Sequence, residues 1–462
     1  MVLPFDNQSG DASLDWVGSA EPSIVVAQLT GLARVLPLRL PTTGDAYASH
    51  ATVFVHGTFT AHEGALEFVI PIEDVVTHKM VRVIHVAGTP LDCAARIAKA
   101  LDSAARPFTT ENAQAVSDWG HGNYEAAVAL DPLFGQAWLA WADSLAASRD
   151  GARAEDVARQ ALSHPIRTGI ESGQLSLLVA TLRNDPALRR ETLKQLTKLM
   201  PADPRILKLG AESEMLARDF PSAANLYRTL LRIDPDPGTL NGLGYAEAAA
   251  GNVDAAKSAL EQYGREPGQQ ANSLDSLGEA YFMNGKFADA EKYFLGAHER
   301  DSKLLGGGDL LKAAYARWLG GDLAGADTLD QRYLQFRAAM HDPAVVWRQA
   351  TWLYSTGRTG LAIEKLKSVP IAGLAERQEA VWQAAAQQHP DVGVLKAAFD
   401  RTAPPGDGEV KTAYAAALAA AGEKDAARPL LTLWPLPQPG DSLSASTVFP
   451  QFLALRKQLD MK

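Results

Sequence analysis

Along most of this chain the apolar residues recur at three- and four-residue spacing, in short runs broken by glycine or proline. That period marks amphipathic helices. The clearest instance lies between Leu274 and Asp301. Leu274, Leu277, Gly278 and Tyr281 fall on one helical face, Gly285 supplies a turn, and Phe287, Ala290, Phe294 and Ala297 form a second apolar stripe. Gly278 and Ala290 are small, so the two backbones can approach closely. The stretch therefore predicts two short helices packed as a hairpin.

The pattern repeats. Leu209-Gly210, Leu243-Gly244 and Leu277-Gly278 are 34 residues apart each time. Turn glycines follow at Gly251, Gly285, Gly321, Gly357 and Gly422, with an alanine five residues after each. The first three steps between them are 34, 36 and 36 residues, and the last is 65, which leaves room for one degenerate hairpin. Leu-Gly-x-x-Tyr on one helix and Ala-x-x-x-Phe on the next resembles the tetratricopeptide repeat. Asp-Pro pairs at Asp131, Asp185, Asp203, Asp234 and Asp342 are expected to open helices. Asp caps a helix start, and Pro fits the first turn, where no amide donor is needed.

A single hairpin buries too little apolar surface to offset the entropy of ordering it, so the units must stack. The expected architecture is α+β and multidomain: an all-α superhelical array over residues 108–440, closed by a capping helix within 441–462. Residues 111–131 read as a first hairpin, Gln136 to Leu145 as a helix carrying Trp138 and Trp141, and 166–200 as a divergent hairpin. The segment Trp434 to Gly440 is too Pro-rich for helix. Pro450 to Leu459 reads as the last helix.

The period changes over the first hundred residues. Val2 to Phe5, Val35 to Leu40, Thr52 to Phe59, Leu66 to Ile72 and Met80 to Val86 read as strands. Ile24 to Leu32, entered through Pro22 and Ser23, and Pro90 to Ala105 read as helices. This order predicts an α/β domain with one mixed sheet over residues 1–107. The short connection Arg106 to Glu111, with Thr110 as a helix cap, predicts that this domain docks on the first helices.

Val2-Leu3-Pro4-Phe5-Asp6-Asn7-Gln8-Ser9-Gly10-Asp11, followed by Trp16-Val17-Gly18, carries a second resemblance, as does Ala51 to Phe59. Together they are similar to the TolB amino-terminal-like domain of bacteria, over roughly residues 1–107. The match departs from that family at Thr42 to Ser49, which give no clear helix. In that family the domain often lies beside tetratricopeptide repeats and is tethered through a membrane helix to a kinase, cyclase or DNA-binding module. The resemblance implies a sensory or scaffolding ectodomain rather than an enzyme, and a periplasmic setting. No leader is recognisable, which leaves a cytoplasmic setting open. The chain opens inside a strand, so an anchor or domain is expected upstream.

The net charge of −10 lacks the basic footprint that nucleic acid requires. No run of eighteen apolar residues suggests a membrane span or a membrane contact. Phosphate loops, zinc motifs, nucleophile elbows and Cys-x-x-Cys are all missing, so no catalytic residue, cofactor or metal is expected. Gly306-Gly307-Gly308 lacks the Lys-Ser/Thr of a phosphate loop and reads as a plain loop. Cys93, the one cysteine, lies in the apolar pattern of a helix with Ile97 and Leu101. A buried thiol and a reactive nucleophile are its two readings. His50 and His56 are six residues apart, ~20 Å along a strand, too far to share a metal. His56 and His85 could meet across neighbouring strands, or each could simply be exposed.

In tetratricopeptide proteins the first helix of each hairpin lines an inner groove. Carried onto this chain, the resemblance implies Asn241 and Tyr245, then Asn272, Asp275, Glu279 and Phe282, as lining residues. It adds Leu311, Tyr315 and Trp318, then Trp347, Thr351 and Tyr354. Aromatic side chains at these positions serve either as anchors for a ligand or as packing between repeats. Asp275 and Glu279 would repel a terminal carboxylate, so the expected ligand is a neutral or basic peptide or protein, or one with an apolar anchor.

Overall fold

The computed structural model describes residues 1–39, 51–62, 64–369, 391–402, 408–431, 454–455 and 457–461. They form two compact units, Met1–Ser213 and Glu214–Lys462. The chain is mostly helical, with a small four-stranded mixed sheet near its amino terminus.

In the first unit, β1 (Val2–Asn7), β2 (Val53–His62), β3 (Ala65–Asp74) and β4 (Lys79–Gly88) lie side by side in that order. β1 pairs parallel with β2, and the other pairs are antiparallel. Phe5, Phe59, Phe68 and Ile70 alternate inward and meet Val17, Ile24 and Val25 of α1 (Asp15–Leu29), with Cys93 and Ile97 of α2 (Pro90–Leu101). The polar run after β1 is a built turn. Asn7 Oδ1 accepts from the Ser9 amide, and Asn7 Nδ2 donates to the Asp11 carbonyl and to Asp15 Oδ1 at the start of α1.

Three expectations change here. The helix placed at Ile24 begins nine residues earlier, at Asp15, and runs through Pro22. An internal proline costs about 3 kcal/mol. The burial of Val17, Ala20, Ile24, Val25 and Leu29 on the sheet offsets it. Val35 to Arg39 make only a single bridge, Val2 to Arg39, rather than a strand. Leu40, Thr42 to Ser49 and His50 lie outside the described residues. Because β3 separates β2 from β4, His56 and His85 are not neighbours: His85 sits opposite Val69.

Cys93 is fully buried, and burial pushes its thiol up to about 12, with Glu21 adding to the shift. A thiol so rarely ionised is a core side chain, not a nucleophile.

Three helical hairpins follow the sheet within the first unit: α3 (Ala113–Gly120) with α4 (Tyr124–Leu130), α5 (Gly135–Ala147) with α6 (Gly151–Leu162), and α7 (Gly169–Leu182) with α8 (Pro186–Leu199). Sheet and hairpins share one apolar core from Val2 to Val179. Phe108 of the short connection stacks edge-on with Phe134 and tilts onto Trp119, while Trp16 of α1 packs on His121. Asn112, not Thr110, caps α3, accepting from the amides of Gln114 and Ala115. Thr110 instead donates to Asp131 Oδ2, at 2.6 Å. Asp185 and Asp203 take helix-opening amides as expected. After Asp234-Pro235, however, it is Asp236 that caps the next helix.

The second unit contains α10 (Phe220–Ile233), then hairpins α11 (Pro237–Ala249) with α12 (Val253–Tyr263), α13 (Gln270–Met283) with α14 (Phe287–Arg300), α15 (Gly308–Leu319) with α16 (Leu323–Ala339), and α17 (Val345–Ser355) with α18 (Thr359–Leu366). α9 (Pro204–Leu216) spans the division between the units. Gly285 takes φ +70° at its turn, a left-handed conformation that glycine adopts without strain. Gly306 and Gly307 form a connection held by Arg337, which donates to the Gly306 carbonyl. Later helices run Val392–Thr402, Gly408–Ala420 and Lys424–Ala427. Trp434 to Gly440 and Pro450 to Leu453 lie outside the described residues. Leu455 and Leu459 are buried with Tyr414, Leu418 and Leu431.

The signature glycines act by close approach. A Cβ on Gly278 would stand 2.4 Å from the Phe294 ring. Gly278→Ala is expected to destabilise the second unit by about 1–3 kcal/mol. Chemical unfolding should show part of that loss recovered in the double variant with Phe294→Leu; equal stability of Gly278→Ala and wild type would refute the packing.

Candidate partner-binding surface

The positions implied as groove lining lie on four first helices: Asn241 and Tyr245 on α11, Asn272, Asp275, Glu279 and Phe282 on α13, Tyr315 and Trp318 on α15, Trp347 and Tyr354 on α17. They fall into two sets. Asn241, Tyr245, Asp275, Glu279, Phe282 and Tyr315 are buried, none more than 8% exposed. Asn272, Trp318, Trp347 and Tyr354 are half-buried.

The buried set forms a polar network and an aromatic core between successive helices. Tyr245 OH donates to Glu279 Oε2 at 2.5 Å, linking equivalent places one repeat apart. Lys312 of α15 donates to both oxygens of Asp275, at 2.6 and 2.9 Å, and also to Glu279 Oε1. Its ammonium stands 5.6 Å from the Phe294 ring centre, a cation–π distance. Asp309 is fully buried one turn before Lys312, and neither of its oxygens has a hydrogen-bond partner.

Burial sets the charges. It raises Glu279 to about 7 against the pull of Lys312. It raises Asp309 to about 9, with the nearby Asp275 carboxylate adding to the shift, so Asp309 is neutral at pH 7. Burial works to lower Lys312, but Glu279 and Asp275 outweigh it and hold the ammonium above its ordinary range. The Tyr245 phenol is pushed up by burial and then by Glu279, so it stays a donor. Asp275 and Glu279 are thus covered and paired with Lys312 rather than presented to a ligand. The expected preference for a basic partner loses its basis, because the two carboxylates are buried and paired with Lys312.

Lys312 is the residue that sequence reasoning missed. It lies 33 residues after Glu279, one repeat on, as a lone cation among Leu310, Leu311, Ala313 and Ala314. A solitary lysine in an apolar helix face, one repeat from a carboxylate pair, was the available signal.

Farther along, Tyr315 meets Trp352 edge-on at 5.1 Å, and Trp318 packs on both. Trp352 is buried and donates from Nε1 to Asp327 Oδ1 at 2.7 Å. Arg358 grips both Asp327 oxygens and holds that carboxyl below its usual range. Trp318 is thus half-covered from below by a braced aromatic cluster. Asn272 donates to Tyr263 OH at 2.7 Å. Among the described residues, no group of three or more His, Cys, Asp or Glu is placed to hold a metal ion. None of their helices is long and apolar enough to cross a membrane.

No protein-family model and no curated protein matches the chain. Solved structures resemble it loosely. The crystal structure of MamA is 15% identical with a TM-score of 0.31, over 36% of this chain and 93% of MamA. The C-terminal part of a TPR repeat-containing protein from Cytophaga hutchinsonii is 14% identical with a TM-score of 0.35, over 64% of this chain and 99% of that one. Yeast Tom70 is 12% identical with a TM-score of 0.38, over 75% of this chain and 86% of its own. Likeness at this level carries no functional argument. The tetratricopeptide reading rests on the chain's own spacing and on the close helix contacts at Gly244 and Gly278.

Proposed function

We propose that this chain is a non-enzymatic scaffold that binds a protein or peptide through its tetratricopeptide hairpins. The supporting observation is the set of half-buried aromatics Trp318, Trp347 and Tyr354 on two successive first helices. Each is partly exposed and packs against a core cluster of its own hairpins. Anchors of this kind suit an apolar side chain in an otherwise neutral segment, and each contributes about 2 kcal/mol or more when a partner buries it. Residues 1–107 serve as a TolB-like amino-terminal domain beside the array, in a bacterial envelope protein. A ligand-sensing ectodomain of a membrane-anchored kinase, cyclase or transcription regulator is the alternative, favoured by the Val2–Asp11 motif and its built turn.

A peptide array probed with the whole chain tests the scaffold. Peptides with a central Leu, Phe or Trp are expected to bind, and Trp347→Ala combined with Tyr354→Ala to weaken them by on the order of a thousandfold. Unchanged binding by the variant, with an unaltered helical spectrum, would overturn this surface.

A further inference from the structure

A cavity of about 260 Å³ lies in the first unit, between α1, the connection at residues 106–109, and helices α5 and α7. It is separate from the aromatic surface and stands or falls independently of it. Its lining includes Glu171, Thr109, Gln136, Arg39 and Arg106. Its volume is at the small end for ligand sites, and suits a metabolite rather than a peptide.

Glu171 is 1% exposed, and neither carboxylate oxygen has a hydrogen-bond partner. Thr109, Thr168 and Gln136 stand close enough to ease its charge, yet none closes a hydrogen bond on it. The nearby arginine is committed elsewhere: Arg167 donates to Asp131 Oδ2 at 2.8 Å and to the Thr109 carbonyl. Thr109 Oγ1 is also buried without a partner. The wall beside the carboxylate is Gly135, where a Cβ would stand 2.4 Å from Glu171 Oε2. A buried acceptor and a buried hydroxyl at one spot call for a ligand carrying several donors.

The same cavity holds positive charge. Arg106 donates to the neutral carbonyl of Gly31, at 3.2 Å. Arg39 lines the cavity from an exposed position, and the burial of part of its side chain lowers the guanidinium. Both have donors suited to a carboxylate.

We propose that this cavity binds a small zwitterion of amino-acid size, its ammonium on Glu171 and Thr109 and its carboxylate toward Arg39 and Arg106. An ammonium supplies three donors to the unpartnered oxygens, and a carboxylate answers the two guanidiniums.

The test is calorimetry and thermal melting of the whole chain with glycine, L-alanine, L-valine, L-glutamine and γ-aminobutyrate, with ethylamine and acetate as single-charge controls. At least one amino acid is expected to bind and raise the melting temperature. Glu171→Gln should weaken that binding by on the order of tenfold to a hundredfold, and Thr109→Val by several-fold. Thr109→Val removes only an unpartnered hydroxyl, so it keeps the test open if Glu171→Gln folds poorly. Binding of no amino acid at 10 mM, or equal binding by both variants, would overturn the site. Ethylamine binding as tightly as the best amino acid would overturn the role of the arginines.

Discussion

Lys312→Met is expected to destabilise the second unit by about 3–5 kcal/mol, the usual effect of removing one partner from a buried ion pair. The lysine is 5% exposed and serves two carboxylates at once. Without it Asp275 and Glu279 stay buried with no cation, and Tyr245 alone still donates to Glu279. Urea unfolding followed by circular dichroism measures the loss. A second variant separates charge from packing: Lys312→Met with Asp275→Asn and Glu279→Gln has no unpaired charge and should recover most of the stability. If Lys312→Met alone unfolds at the wild-type midpoint, the network contributes nothing and the geometry described for it is incidental.

Glu171 is expected to make the protein less stable as the pH rises. Burial lifts its carboxyl from 4.5 to about 7 in the folded chain. The unfolded chain gives up this proton near the ordinary value, and the folded chain only near 7. Between those values the unfolded state is increasingly favoured, and above about 7 the full effect is present, on the order of 3 kcal/mol. Glu171→Gln should flatten stability across that window and raise it at pH 8. Melting temperatures at pH 5 and pH 8 decide it, and a wild-type curve that rises with pH as steeply as the variant's would refute the assignment. Glu21 and Asp330 are also raised, chiefly by burial, and shift stability in the same direction. A ligand ammonium on Glu171 would reverse its share of this loss.

The helices and their turns were legible in the order of residues, because both depend on neighbours three to five positions away. Leu277-Gly278, Gly285 and Ala290 announce a hairpin without any knowledge of what lies beyond it. The strands over 53–86 were equally plain from alternation. Pro22 misled, since local chemistry favours it at a helix start, while the sheet beneath α1 carries the helix through it from Asp15. The roles of Asp275, Glu279 and Tyr315 were hidden for a different reason. Spacing placed them on a first helix but not on its covered or open side. That depended on Lys312 and Trp352, which meet them from the following hairpin. Glu171 and Arg39 are 132 positions apart, and only folding brings them to one cavity. Local periodicity determines which segments are helices; the fate of each polar side chain is decided by partners a repeat or more away, since burial and pairing set its charge and its exposure.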